Sequence, residues 1–111
     1  MDVLKDIRTR STSFEQLCKE HHVRTLYLFG SAVTDHFREE QSDIDLVVEV
    51  DDLDPIVKGE HLIQLWDDLE LFFNRKVDLL TEASIMNPYL RKSIDATKVL
   101  IYDGRAEKVL D

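Results

Sequence analysis

Two aspartates at the head of an apolar run are the strongest chemical signal in the chain. Asp43 and Asp45 flank Ile44 and precede a mostly apolar run at residues 46–50. Because side chains alternate between the two faces of a strand, the two aspartates are predicted to share one face, with Ile44 on the other. Neighbouring carboxylates repel, so they require a positive charge. A divalent cation such as Mg²⁺ is the usual partner of hard oxygen ligands.

A third carboxylate lies in another predicted strand. Asp78 interrupts the apolar residues of the run at 76–80. If this strand pairs beside the one that carries Asp43 and Asp45, and the register puts Asp78 on their face, the three carboxylates converge at one edge of the sheet. Such a set could hold two divalent ions about 3.5–4 Å apart, which activate an attacking oxygen and stabilise a leaving phosphate oxygen.

A glycine and a serine follow a short apolar segment. Residues 25–29 are predicted to form a buried strand, and Gly30 and Ser31 come directly after it. Glycine lets backbone amides approach a phosphate closely, and the serine hydroxyl adds a donor. This turn is therefore predicted to hold the phosphates of a nucleotide while metal ions bridge their oxygens.

The Gly30-Ser31 pair, the Asp43 and Asp45 pair, and Asp78, in this order on predicted strands, resemble the minimal nucleotidyltransferase family of the polymerase beta superfamily. The similarity covers about half the chain. It implies transfer of a nucleoside monophosphate, AMP from ATP, to a hydroxyl with release of pyrophosphate. It also implies that the three aspartates are the catalytic groups and ligands of two Mg²⁺ ions, with Gly30 and Ser31 as the nucleotide-binding residues.

The resemblance also implies a partner. Members of this size often act as the antitoxin of a HEPN-domain toxin by modifying a tyrosine of that toxin. Two alternatives stay open, namely a non-catalytic antitoxin that neutralises the toxin by complex formation, and transfer to a small molecule. The latter would need a further substrate-binding surface, which a homo-oligomer could supply.

Two departures from the family pattern occur after the Gly-Ser pair. The loop at residues 32–42 is one residue longer than usual. Many members carry an arginine and then a glycine where this chain has Thr34 and Asp35, so Arg38 is the remaining candidate for a basic phosphate contact.

Composition limits the class of protein. The chain has 111 residues, is 43% hydrophobic and carries a formal net charge of −9. These values predict one domain over residues 1–111, with its core at about 24–102 and a flexible tail at 103–111. The negative charge argues against direct binding of nucleic acid and favours a basic protein partner.

The single cysteine, Cys18, excludes an intrachain disulfide. No segment resembles a signal peptide or a membrane span, which predicts a cytoplasmic protein.

The remaining patterns predict an α/β fold. It is a small mixed sheet of three to four strands packed by helices. Thr12 and Glu15 resemble a capping box that starts a helix near residue 13, and residues 63–73 are predicted to form an amphipathic helix ending at Asn74. His21 and His22 are predicted to close the first helix. His61 is predicted to lie on the surface of a later helix.

Overall fold

The computed structural model describes residues 2–34 and 43–110. Over these residues, five strands form one mixed sheet in the order β3-β2-β1-β4-β5, in which only β2 and β3 run parallel. The α/β prediction is confirmed, and the sheet has one strand more than the upper number expected. The strands are β1 Val23–Phe29, β2 Ile44–Val50, β3 Val77–Thr81, β4 Val99–Asp103 and β5 Lys108–Val109.

In the described part of the chain, four α-helices cover the sheet. None of those described is both long and apolar enough to cross a bilayer. Short 3₁₀ turns follow β1 and β3, at Gly30–Ala32 and Glu82–Ser84. The helices are α1 Val3–Thr9, α2 Ser11–Glu20, α3 Pro55–Phe73 and α4 Pro88–Thr97.

The main core lies between one face of the sheet and helices α1, α2 and α3. On β2, the alternate residues predicted to share a face are all buried there. The same cluster contains side chains of the N-terminal helices, so the core begins well before residue 24. Burial of these side chains, at about 25 cal/mol per Å² of apolar surface, is the main force that holds the helices on the sheet. The β2 residues are Ile44, Leu46, Val48 and Val50, and the N-terminal ones are Val3, Ile7, Phe14 and Cys18.

A smaller core covers the other face of the sheet. Phe29 from β1, Val47 from β2 and Ile94 from α4 are buried together. Val47 alternates with the main-core residues of β2, so its face is the one that carries Asp45. Helix α4 therefore packs on the face of the sheet that bears the carboxylates.

Helix α2 begins earlier than the sequence pattern predicts. Its first residue is Ser11, and Arg10 occupies the N-cap position without a side-chain capping bond. Thr12 therefore lies inside the helix and cannot cap it, so the predicted capping box is wrong. Arg10 instead donates hydrogen bonds to the Asp6 carboxylate and to the carbonyl of Phe72, which ties the junction of α1 and α2 to the end of α3.

Helix α3 has clear start and stop signals. The Asp54 side chain accepts from the backbone N–H of Ile56, and Pro55 occupies the first turn, where its missing N–H costs nothing. Asn74 ends the helix in the left-handed conformation with φ 50°. The predicted cap at Asn74 is confirmed.

The described part of the expected tail is folded. Lys108–Val109 forms β5, in which Val109 pairs with Tyr102 of β4 and is only 9% exposed. The backbone N–H of Gly104 donates to the carbonyl of Arg24 at 2.7 Å, which holds the turn after β4 against β1. The expectation of a flexible tail is therefore wrong for residues 103–110, because a hydrophobic side chain and backbone hydrogen bonds fix this segment to the sheet.

Candidate active site

The parallel pairing of β2 and β3 aligns two of the predicted site residues. Asp45 pairs with Asp78, and Ile44 pairs with Val77. Aligned residues of neighbouring strands point to the same face, and Ile44 and Val77 are buried in the main core. The carboxylates of Asp45 and Asp78 therefore both lie on the α4 face, near the ends at which their strands begin. This register satisfies the condition that the sequence left open for Asp78.

The three aspartates act on one another electrostatically. Asp43 is exposed and directly precedes β2, whereas Asp45 is partly buried. Burial, followed by repulsion from Asp78 and from Asp43, raises the pKa of Asp45 from 3.8 to about 6. A cation bound beside these carboxylates would favour the charged form of Asp45 and lower its pKa again.

The donor set fits a divalent ion by its chemistry, although it is not a closed cage. Within residues 2–34 and 43–110, no choice of one carboxylate oxygen from each of Asp43, Asp45 and Asp78 brings all three within 4.8 Å of one another. Carboxylate oxygens suit Mg²⁺, which commonly takes one or two protein carboxylates and completes its shell with water and substrate phosphates. Asp45 and Asp78, with Asp43 beside them, are the residues that could hold such ions.

Gly30 lies directly against this group. Its φ is 73°, which a residue with a side chain rarely adopts. A Cβ atom at residue 30 would stand 2.8 Å from Oδ2 of Asp45. The antiparallel pairing of Phe29 with Asp45 produces this proximity, because Gly30 is the first residue after β1. Both the backbone conformation and the close approach therefore require glycine here.

The backbone N–H of Gly30 is bound by a residue that the sequence analysis did not identify. It donates to Oγ1 of Thr97 at 2.9 Å, and the Thr97 hydroxyl donates to the carbonyl of Ser93 at 2.9 Å. Thr97 is the last residue of α4. No local pattern marks it, because the contact joins residues 67 positions apart. Thr97 fixes the turn, and the N–H of Gly30 is used inside the protein.

Ser31 lies in the 3₁₀ turn that follows β1. Its carbonyl accepts from the backbone N–H of Thr34 at 3.2 Å and from the Thr34 hydroxyl at 3.4 Å. Thr34, where many family members carry arginine, therefore helps to close the turn. The other residues of the departure, Asp35 and Arg38, lie outside the described residues, so the predicted basic contact stays a prediction.

The outer edge of β3 is fixed next to Asp78. Nε1 of Trp66 donates to the carbonyl of Val77 at 2.8 Å, and the backbone N–H of Val77 donates to Oε2 of Glu70 at 2.9 Å. Both side chains come from α3. They satisfy backbone groups that an edge strand would otherwise present to solvent, and they hold Asp78 in register with Asp45.

The amino-acid sequence is similar to those of known proteins. A model of the polymerase beta nucleotidyltransferase family matches residues 13–107. MJ1379 of Methanocaldococcus jannaschii, named as a proposed protein adenylyltransferase, is 34% identical over 102 residues, which cover 91% of this chain and 100% of that protein.

Two solved structures have the same fold. The structure of a proposed minimal nucleotidyltransferase matches with a TM-score of 0.66 and 27% identity, covering 89% of this chain and 95% of the other. A chain from the complex of tri-AMPylated Shewanella oneidensis HEPN toxin with its MNT antitoxin matches with a TM-score of 0.52 and 22% identity, covering 90% and 75%. The chain belongs to the polymerase beta nucleotidyltransferase family, as one of its minimal members.

Proposed function

We propose that this protein transfers AMP from ATP to a tyrosine hydroxyl of a HEPN-type toxin and thereby acts as an antitoxin. The observation that carries the proposal is the register of Asp45 with Asp78 beside the tight turn at Gly30. This places two carboxylates and a tight turn at one edge of the sheet, in a chain whose family transfers nucleotidyl groups.

The residues have distinct roles in this proposal. Asp43, Asp45 and Asp78 hold the divalent ions, and Gly30 and Ser31 form the turn against which the triphosphate lies. When bound, the ions neutralise the carboxylates and the phosphate oxygens. Since the N–H of Gly30 is bound to Thr97, the contribution of Gly30 is its lack of a side chain rather than a donated hydrogen bond.

The reaction is a substitution at the α-phosphorus of ATP. The acceptor hydroxyl oxygen bonds to this phosphorus, the bond to the oxygen that bridges to the β-phosphate breaks, and pyrophosphate leaves. Asp78 accepts the proton of the acceptor hydroxyl. Asp78 suits this role because it is exposed at the edge of the sheet, where a protein acceptor can reach it.

The proposed acceptor and partner rest on the relatives. MJ1379 is named for adenylyl transfer to protein, and the Shewanella oneidensis complex contains an AMPylated HEPN toxin with its antitoxin. The net charge of −9 suits a basic, RNA-cleaving partner.

The test uses the full chain, the protein encoded beside it, ATP and Mg²⁺. We expect mass spectrometry to show added AMP on a tyrosine of that protein. The variant Asp45→Asn abolishes the addition, whereas Glu49→Gln, which neutralises an exposed carboxylate further along β2, retains it. Equal modification by Asp45→Asn and by the wild type would contradict the proposed site.

A test in cells separates catalysis from simple binding. If AMP transfer neutralises the toxin, Asp45→Asn fails to protect cells that express it, while Glu49→Gln protects them. Full protection by Asp45→Asn would support the non-catalytic alternative instead.

A further inference from the structure

A group of histidine and acidic side chains joins the end of α2 to α3, and we call it the helix-junction cluster. Its members are Glu20, His21, His61 and Asp68. The cluster lies before the first residue of β1, whereas Asp45 pairs with the last residue of that strand. The strand β1 has seven residues, so its ends are six steps of about 3.3 Å apart, and the cluster lies roughly 20 Å from the carboxylates at the sheet edge.

His21 is buried and firmly oriented. It is 4% exposed, and its Nε2 lies 2.6 Å from Oδ2 of Asp68. This distance is too short for two ligands of one ion, because ligands about 2.0–2.2 Å from a tetrahedral metal stand about 3.3 Å apart. The contact is therefore a hydrogen bond in which Nε2–H donates to Asp68. In the neutral ring the proton is then on Nε2, and the lone pair is on Nδ1.

The Nδ1 atom of His21 faces a second imidazole. Nδ1 of His21 lies 3.3 Å from Nδ1 of His61, which is the separation expected for two nitrogen ligands on one tetrahedral ion. A histidine that binds a metal usually donates its other N–H to a carboxylate, as His21 does to Asp68. One ligand atom from each of Glu20, His21 and Asp68 lies within 4.8 Å of the other two, so Glu20 lies near the carboxylate that orients His21, whereas no such set among the described residues includes His61.

We propose that the helix-junction cluster binds a divalent late first-row transition metal of the zinc class. His21 and His61 provide the nitrogen ligands, Asp68 orients His21, and water completes the shell. Imidazole nitrogen favours zinc over magnesium, so this site is distinct in chemistry from the carboxylates at the sheet edge. His61 is partly exposed, so an ion can reach its ring nitrogens from solvent.

Metal binding here has a structural consequence. Glu20 and His21 lie at the end of α2, and His61 and Asp68 lie on α3, seven residues apart and thus on one face of that helix. One ion would therefore link the two helices. Because the ion binds only the folded arrangement, it raises the free energy of unfolding by an amount that grows with the logarithm of its affinity.

The first test measures zinc binding by competition with a chromophoric chelator, with Mg²⁺ in excess to occupy the sheet-edge carboxylates. We expect the wild type to bind one Zn²⁺. His61→Gln weakens binding at least about tenfold, and Asp68→Asn weakens it about tenfold. The matched control Asp67→Asn removes the same charge from the adjacent, exposed residue of α3 and leaves the affinity unchanged. Affinities that are equal for wild type, His61→Gln and Asp68→Asn would overturn the proposal.

The second test needs no variant and therefore does not depend on the folding of one. Nitrogen-15 spectra of the imidazoles are recorded on the full chain before and after addition of Zn²⁺. We expect the Nδ1 resonances of His21 and His61 to shift together, while the Nε2–H of His21 is retained and the melting temperature rises. Spectra and melting temperature that do not change with Zn²⁺ would show that the contact is only a hydrogen bond between two imidazoles, and would overturn the site.

Discussion

Gly30 and Asp45 are in such close contact that a single methyl group would disturb both. A Cβ atom at residue 30 would stand 2.8 Å from Oδ2 of Asp45, and the backbone there has φ 73°. The turn after β1 and the Asp45 carboxylate of β2 are thus packed directly against each other, so a change in one displaces the other. Their geometry is set by the pairing of Phe29 with Asp45 and by the bond from Gly30 to Thr97.

Gly30→Ala tests this contact. We expect it to lower the free energy of unfolding by about 1–3 kcal/mol, because it adds both backbone strain and a steric clash. AMP transfer falls at least about tenfold, because Asp45 is displaced. Urea unfolding and transfer rates check both effects. The matched control is Gly59→Ala on α3, where an added Cβ meets nothing within 4 Å, and it is expected to raise stability by about 1 kcal/mol. Equal behaviour of the two variants would contradict the account.

Asp45→Asn should stabilise the protein while abolishing transfer. The folded-state pKa of Asp45 is about 6 against an ordinary 3.8, so the folded protein binds more protons between these values. Without divalent ions, the contribution of Asp45 to the free energy of unfolding therefore falls as pH rises from about 4 to about 6, and stays low above that. Asn removes this penalty, and we expect a gain of about 1–2 kcal/mol at neutral pH.

Urea unfolding across this pH range measures the effect of Asp45→Asn. Glu49→Gln is the control and should change the free energy of unfolding by less than about 0.5 kcal/mol. A loss of stability in Asp45→Asn at neutral pH would show that burial and repulsion from neighbouring carboxylates do not raise the pKa of Asp45.

Thr97→Val removes the hydroxyl that accepts from Gly30 and keeps the shape of the side chain. We expect the free energy of unfolding to fall by about 1–2 kcal/mol, because the N–H of Gly30 is left without its partner. Transfer slows as well, because the turn is no longer fixed. Thr9→Val is the matched control, since the Thr9 hydroxyl also donates to the carbonyl four residues earlier but holds no turn. Thr9→Val should lower the free energy of unfolding by no more than about 0.5 kcal/mol.

Glu70→Ala tests how α3 fixes the edge of the sheet. The change leaves the N–H of Val77 without the carboxylate that accepts from it, and we expect a loss of about 1–2 kcal/mol. Faster hydrogen exchange at Val77 and Asp78 should accompany it. Glu60→Ala removes an exposed carboxylate from the same helix and should leave both measurements near those of the wild type. Unchanged exchange in Glu70→Ala would refute this role.

The sequence predicts best where a pattern is local and strong. The alternation along β2 correctly separated Asp45 from the buried Ile44, and Asn74 correctly marked the end of α3. Both signals depend only on neighbours in the chain. The strand β5 was missed because two residues carry no periodic signal, and Val109 is buried only through its pairing with β4.

The site was less predictable because its contacts are not local. Whether Asp78 shares a face with Asp45 depends on the register of two parallel strands, which a sequence pattern cannot set by itself. The contacts of Gly30 with Thr97 and of His21 with Asp68 join residues 67 and 47 positions apart. His21 was predicted only to close the first helix, and His61 to lie on the surface of a helix. The fold instead brings a ring nitrogen of each within 3.3 Å of the other.

Calorimetric titration with ATP tests the central claim most directly. The account predicts that the wild type binds ATP only when Mg²⁺ is present, that Asp45→Asn and Asp78→Asn lose this binding, and that Glu49→Gln keeps it. Binding of ATP that is equally strong without Mg²⁺, or that survives in both aspartate variants, would contradict the assignment of these carboxylates as the metal site of a nucleotidyltransferase.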